Sequence, residues 1–207
     1  MRVDSLANQP DMAGRYRVCF SDGTVLRLYR QTVQDYGLYP GLELEEENFQ
    51  KLRQDASQMS AKMRAVRIVA SSNISQKGLE RRLVQKGEDP QQAKNAVKWM
   101  SDMDLLDDRK TAEQIVSSCI RKGYGLTRAK QALYEKQIPR EFWQEVLEDY
   151  PDQMEYIVSF LSARLKGNPD GREIRRATDA LIRRGHSYGA IRKGLGQLAI
   201  DDDFQEE

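Results

Sequence analysis

The stretch MDLLDDRKTA, Met103 to Ala112, sets Asp104, Asp107 and Asp108 within five residues, and Glu113 follows directly. Carboxylates at this density are the ligands a hard cation needs, or a paired acid and base. No regular alternation of oxygen ligands around a turn-forming glycine is present, however, and no histidine lies near. Aspartate at a helix start has a simpler use, because its carboxylate accepts hydrogen bonds from backbone N–H groups that lack helical partners. We therefore expect Asp107 or Asp108 to cap an incoming helix, with Leu105 and Leu106 packing the junction beside it. His186 is the only histidine, which excludes histidine triads and multi-histidine metal sites, and between Gly185 and Ser187 it reads as a turn residue. Cys19 and Cys119 lie 100 residues apart outside any metal-type or redox-type pair, so both are expected to be reduced and buried. KGYGLTR, residues 122–128, has neither the preceding strand nor the Lys-Ser or Lys-Thr ending of a phosphate loop. Trp99 and Trp143 sit among apolar neighbours at helical spacing and read as packing anchors. The expectation is a protein without catalytic residues, cofactor or metal, and not an enzyme.

The elements that hold these residues follow from periodicity. In YRVCFSDGTVLRLYR, two β-branched and aromatic runs flank a Ser21-Asp22-Gly23 loop, which predicts strands near 15–20 and 24–29 joined by a hairpin. Leu42 and Leu44 suit a short extended piece, and the acidic Glu45 to Glu47 suit a helix N-terminus. From about residue 60 the pattern is helical. GLERRLVQKGEDPQQAKNAVKWM, RAKQALYEKQIPREFWQEVLEDY and RATDALIRRGHSYGAIRKGLGQL superpose without gaps on Leu83, Leu133 and Leu181, a period of 50 and then 48 residues. Leu79, Ala129 and Ala177 precede those leucines by four. Val84, Tyr134 and Ile182 follow by one, and Ala93, Trp143 and Ile191 by ten, positions read together as one apolar helix face. Basic residues at Lys86, Lys136 and Arg184 mark the intervening helix ends. With one more apolar-periodic segment before each unit, the fold class is mainly α. Three tandem three-helix repeats form an elongated curved array behind a small N-terminal lobe containing a β-hairpin. The expected divisions are 1–58 for the lobe, 59–106, 107–151 and 152–200 for the repeats, and 201–207 for an acidic tail.

With 31% charged residues and a formal net charge of +1, composition excludes a polybasic or acidic disordered chain and names no partner. Distribution is more informative. Lysines and arginines outnumber acids nine to three from Lys62 to Ser101 and nine to four from Gln153 to Ile200, but only eight to six from Arg109 to Pro151. Arg81, Arg82 and Lys86, with Arg175, Arg176, Arg183 and Arg184, occupy related parts of the repeat and form the candidate partner-binding surface, suited to phosphate or an acidic protein groove. No apolar run is long enough to span a membrane, and the N-terminus lacks the apolar core of a signal peptide, so the expected location is the cytoplasm.

SQKGLERRLVQKG resembles the Ser-x-x-Glu-Leu-x-x-Lys-Leu-x-x-Lys-Gly signature of the RecX family of recombination regulators, through Ser75, Leu79, Arg82, Leu83, Lys86 and Gly87. LLDDRKTA is similar to that family's Leu-Asp-Asp-x-Arg-Phe-Ala, and KGYGLTRAKQALYEKQI to its Lys-Gly-x-Gly-x-x-x-Ile-x-x-x-Leu-x-x-Lys-Gly-Ile. Gly78 stands where glutamate is usual and Gln137 where glycine is usual, both off the repeated core positions. The resemblance implies a non-enzymatic, monomeric modulator of the RecA recombinase, acting in homologous recombination, DNA repair and the SOS response. Such proteins bind the RecA–DNA filament along its groove, limit its extension, and lower its ATPase, strand-exchange and coprotease activities. Direct contact with single- or double-stranded DNA is a further implied partner interaction. The residues alone also admit a helical-repeat protein that binds DNA or RNA directly.

Overall fold

Three short antiparallel strands, β1 (Val3–Leu6), β2 (Arg15–Phe20) and β3 (Val25–Tyr29), make a sheet in that order. The computed structural model describes residues 1–167 and 169–200. The hairpin forms where the Asp-Gly pair predicts it. The Asp22 carboxylate accepts the Thr24 N–H at 2.9 Å, and Gly23 takes the left-handed conformation, φ 86°, that closes the turn. β1 was not anticipated, because Val-Asp-Ser-Leu has no strand signature of its own and gains its pairing only from β2. The Leu42–Leu44 segment is held by main-chain bonds: Leu42 C=O accepts the Val3 N–H at 2.8 Å, and the Leu44 N–H donates to Met1 C=O at 2.7 Å. Val18, Phe20 and Leu28 turn inward onto Phe49 and Leu52, with the Phe20 and Phe49 rings edge to face at 4.9 Å.

Helix α1 (Arg30–Asp35) leads to α2 (Glu46–Ser71), which begins at the acidic run. α2 contains no glycine or proline, so nothing breaks it at residues 58 and 59, where the sequence suggests a division. Its first half buries Phe49 and Leu52 in the lobe, and its second half buries Ala61, Ala65 and Ile68 beneath α3 (Gln76–Gln85) and α4 (Pro90–Asp102). The chain then divides into two compact units, Met1–Leu106 and Asp107–Glu207. The second holds α5 (Asp108–Arg121), α6 (Leu126–Glu135), a 3-10 turn (Arg140–Phe142) running into α7 (Trp143–Leu147), and α8 (Met154–Arg164), α9 (Gly171–Arg183) and α10 (Tyr188–Gln197). The fold is mainly α with one small antiparallel sheet.

The repeat is visible in burial. Leu79, Ala129 and Ala177 are buried, and so are Leu83, Leu133 and Leu181. Val84, Tyr134 and Ile182 are instead 40, 68 and 47% exposed, which corrects their placement on the core face. A residue one position beyond the centre of a buried stripe is rotated by about 100° around the helix and leaves it. α3, α6 and α9 all end in the same doubly hydrogen-bonded turn, as in Gly87 N–H to Val84 C=O at 2.9 Å and Glu88 N–H to Leu83 C=O at 3.1 Å. Gln137 fills the left-handed position of the middle turn at φ 57°. The third helix of the repeat starts on a side-chain cap where it begins with Asp89 or Ser187, but Pro139 offers no acceptor, and there the helix opens as a 3-10 turn and stays short.

Candidate partner-binding surface

Arg81, Arg82 and Lys86 are exposed on α3 and its cap, and Arg175, Arg176 and Arg183 on α9. The outward apolar residue has a cation one turn away in the first two repeats and two turns away in the third. Arg81 lies three residues before Val84, Lys130 four before Tyr134, and Arg175 seven before Ile182, spacings that share a helix face. Each of these helix faces, taken by itself, carries both apolar and basic groups, a combination the charge distribution did not reveal.

Arg184 does not join that surface. It is half-buried, with its guanidinium 5.9 Å from the ring centre of Tyr124 and 5.5 Å from those of Tyr156 and Phe160. Aromatic faces attract a cation and cover its stem, so a residue spaced like its exposed neighbour Arg183 is drawn into a joint. That joint connects the second and third repeats inside one compact unit. Gly125 N–H donates to Arg184 C=O at 2.9 Å, and the Tyr150 hydroxyl donates to Tyr124 C=O at 2.6 Å. Side chains at Gly125 and Gly123 would collide with the Gly185 carbonyl and the Tyr156 ring.

His186 lies in the connection between α9 and α10 and is buried in the same joint. Its ring stacks on Tyr156 with centres 5.8 Å apart, and Nε2 lies 3.0 Å from Gly123 C=O. A carbonyl only accepts, so Nε2 carries the hydrogen. Burial lowers the imidazole pKa below its ordinary 6.5, with the Arg184 charge adding to the effect and the Gly123 bond opposing it. A depressed folded-state pKa means that the unfolded chain binds the extra proton first. The stabilisation is complete above about pH 6.5 and is lost as pH falls below it. We expect the urea midpoint of the second unit, followed by Trp143 fluorescence in a Trp99→Phe background, to drop on acidification through that range. His186→Gln should flatten the drop, and an unchanged slope would refute this role.

His186 also belongs to a repeated position, the third residue after the helix end, shared with Glu88 and Ile138, and all three are buried. The same slot takes a histidine, a carboxylate and an aliphatic group. The two polar occupants carry their own partners: Glu88 pairs with Arg64 Nε at 2.7 Å and accepts from the Ser60 hydroxyl at 3.0 Å.

At the aspartate-rich stretch Asp107 serves as a helix cap and Glu113 as an ion-pair partner. Asp107 is the N-cap of α5 and accepts the Lys110 N–H at 3.0 Å, the main cause of its lowered pKa. Asp108 is buried in the first turn, and Asp104 occupies a left-handed turn at φ 55°. Glu113 pairs with Arg109, which also holds Glu145. Leu106 is buried in the core of the first unit, but Leu105 is 52% exposed, so only one of the two leucines packs as expected. Among the described residues no group of three or more histidine, cysteine, aspartate or glutamate side chains is placed to hold a metal ion. Cys119 is buried and Cys19 half-buried, and both are free thiols. The expected tail, 201–207, lies outside the described residues, as does Asn168. Among the described residues no helix is long and apolar enough to cross a membrane.

This architecture defines the class as a helical-repeat protein with an added N-terminal sheet. Residues 107–147 match the second three-helix domain of RecX. The chain is 22% identical over 208 residues to regulatory protein RecX of Clostridioides difficile strain 630, covering 98% of each. It is 27% identical to the protein of that name from Halorhodospira halophila, over 67% of this chain and 88% of that one. Among solved structures, a regulatory protein RecX superposes with a TM-score of 0.63 at 17% identity, covering 93% of this chain and 98% of that one. RecX from Lactobacillus salivarius gives 0.60 at 19%, covering 69% and 97%. Over most of its length the chain is thus similar in sequence and fold to RecX regulatory proteins.

Proposed function

We propose that the protein binds the RecA recombinase or its nucleoprotein filament and limits filament extension, thereby lowering ATPase, strand-exchange and coprotease activity. It acts in the cytoplasm as a monomer, by occupying a surface and not by catalysis. The observation that carries this reading is an exposed apolar residue on the middle helix of each repeat, Val84, Tyr134 and Ile182, with Arg81, Lys130 and Arg175 on the same respective helix faces. Such a face suits a protein groove that is apolar at its centre and acidic at its rim. The three repeats are its docking units, and the names of the relatives support a regulatory role.

The test is RecA-driven ATP hydrolysis on single-stranded DNA with the protein titrated in. Tyr134→Ala, and the charge reversals Arg81→Glu with Arg82→Glu or Arg175→Glu with Arg183→Glu, are each expected to raise the half-inhibitory concentration roughly tenfold, equivalent to about 1.4 kcal/mol. Arg184 is left out, since its reversal would disrupt the joint. Unchanged inhibition in all three variants would sink the proposed surface. No effect of the wild-type protein on ATP hydrolysis at any concentration would sink the function.

A further inference from the structure

The N-terminal sheet has a second face that the proposed function does not use. Side chains alternate along a strand, so while Val18 and Leu28 enter the core, Arg15, Arg17 and Arg27 stand together on the outer side. Arg17 and Arg27 are direct cross-strand partners in the β2–β3 register. The β1–β2 loop arches beside them, and between loop and sheet lies a concavity of about 520 Å³, walled in part by Gln9, Met12 and the three arginines.

The charges in this hollow are not balanced internally. Arg15 is neutralised: Asp11 receives its guanidinium at 3.0 and 2.8 Å and its N–H at 2.9 Å, bonds that hold the Asp11 carboxyl down to about 2. Neither Arg17 nor Arg27 has an ion pair or side-chain hydrogen bond among the described residues. Like charges directly opposite on a sheet repel and destabilise it. Two planar guanidiniums converging on one space are also the arrangement that grips phosphate oxygens. Met12, fully exposed on the rim, adds a polarizable apolar lip.

We propose that this outer face binds single-stranded nucleic acid, Arg17 and Arg27 straddling a backbone phosphate while Met12 lies against the adjoining base or sugar. Charge complementarity selects a polyanion, and the geometry selects a nucleic acid over an acidic peptide. A peptide gains affinity by adding to a sheet edge through main-chain bonds, whereas a sheet face offers only side chains. Single strands, by contrast, lie across sheet faces with their phosphates on basic groups and their bases on apolar ones. The inference does not depend on RecA.

The experiment is fluorescence anisotropy of a labelled oligothymidylate with the full chain, without RecA, at several salt concentrations. For Arg17→Gln with Arg27→Gln we expect affinity to fall about tenfold or more, and the log–log salt slope to become shallower by about 0.7 for each phosphate no longer neutralised. Met12→Ala should weaken binding several-fold and leave that slope unchanged. The double variant removes a repulsive pair, so its thermal midpoint should be no lower than that of the wild type, which separates lost binding from lost folding. Oligothymidylate that fails to bind the wild type, or binds the double variant with unchanged affinity and slope, overturns the proposal. So does a polyglutamate peptide that binds the wild type as tightly as the oligonucleotide and loses as much in the double variant, which would assign the face to an acidic protein.

Discussion

Gly185→Ala is expected to cost about 3 kcal/mol or more, while Gly87→Ala at the same position of the first repeat costs about 1 kcal/mol. The two glycines have the same conformation, φ 88° and 87°, and the same role in the turn that ends a middle helix. A methyl group at Gly87 meets open space, so its cost is the left-handed backbone alone. At Gly185 a methyl would stand 2.6 Å from Arg128 Cβ and 2.9 Å from its Cα, and the obstacle is main chain that cannot swing away. The turn must retreat from α6, pulling Arg184 C=O off Gly125 N–H and His186 off Gly123 C=O. Urea unfolding reports each unit through its own tryptophan, Trp99 in the first and Trp143 in the second, with the other changed to phenylalanine. Equal losses at the two glycines would mean that the close approach of the second and third repeats does not stabilise the unit.

Arg64→Ala should lower the stability of the first unit by about 3 kcal/mol, the usual cost of leaving a buried carboxylate without its cation. The Glu88 side chain is only 6% exposed, and Arg64 binds it at 2.7 Å while also donating to Lys86 C=O at 2.6 Å. One side chain on α2 thus neutralises the buried charge and ties down the turn between α3 and α4. Removing the charge from both sides should restore much of the loss, because in Arg64→Ala with Glu88→Gln the amide can still bond the Ser60 hydroxyl. A double variant as unstable as Arg64→Ala alone would show that the tie to Lys86 C=O, and not the buried charge, carries the effect. A single variant losing under about 1 kcal/mol would show an ion pair of merely surface strength.

The two results concern adjacent positions of the repeat, and the second position shows how far the sequence could be read. The superposition that aligned Leu83 with Leu133 and Leu181 also aligned Glu88 with Ile138 and His186. An aliphatic residue at one of three equivalent places was a signal that the other two are buried, and that a carboxylate and an imidazole there need partners. The partners themselves were out of reach. Arg64 is 24 residues from Glu88, and Gly123 is 63 from His186, each on a different element.

What the sequence by itself determined is everything governed by neighbours a few residues away. The hairpin at Asp22-Gly23, the cap at Asp107, the helix ends near Lys86, Lys136 and Arg184, and the three-fold recurrence of leucine all follow from short-range sterics, hydrogen bonding and periodicity. Tertiary structure alone decided where equivalent residues go. Arg183 stays in water while Arg184 enters an aromatic joint, Leu106 packs while Leu105 does not, and β1 exists only because β2 accepts it. It also decided that Arg17 and Arg27 stand side by side on the sheet wall of a hollow, without an ion-pair partner among the described residues. Desolvation and charge pairing are set by whichever surface arrives from elsewhere in the chain, and local spacing carries no record of that surface.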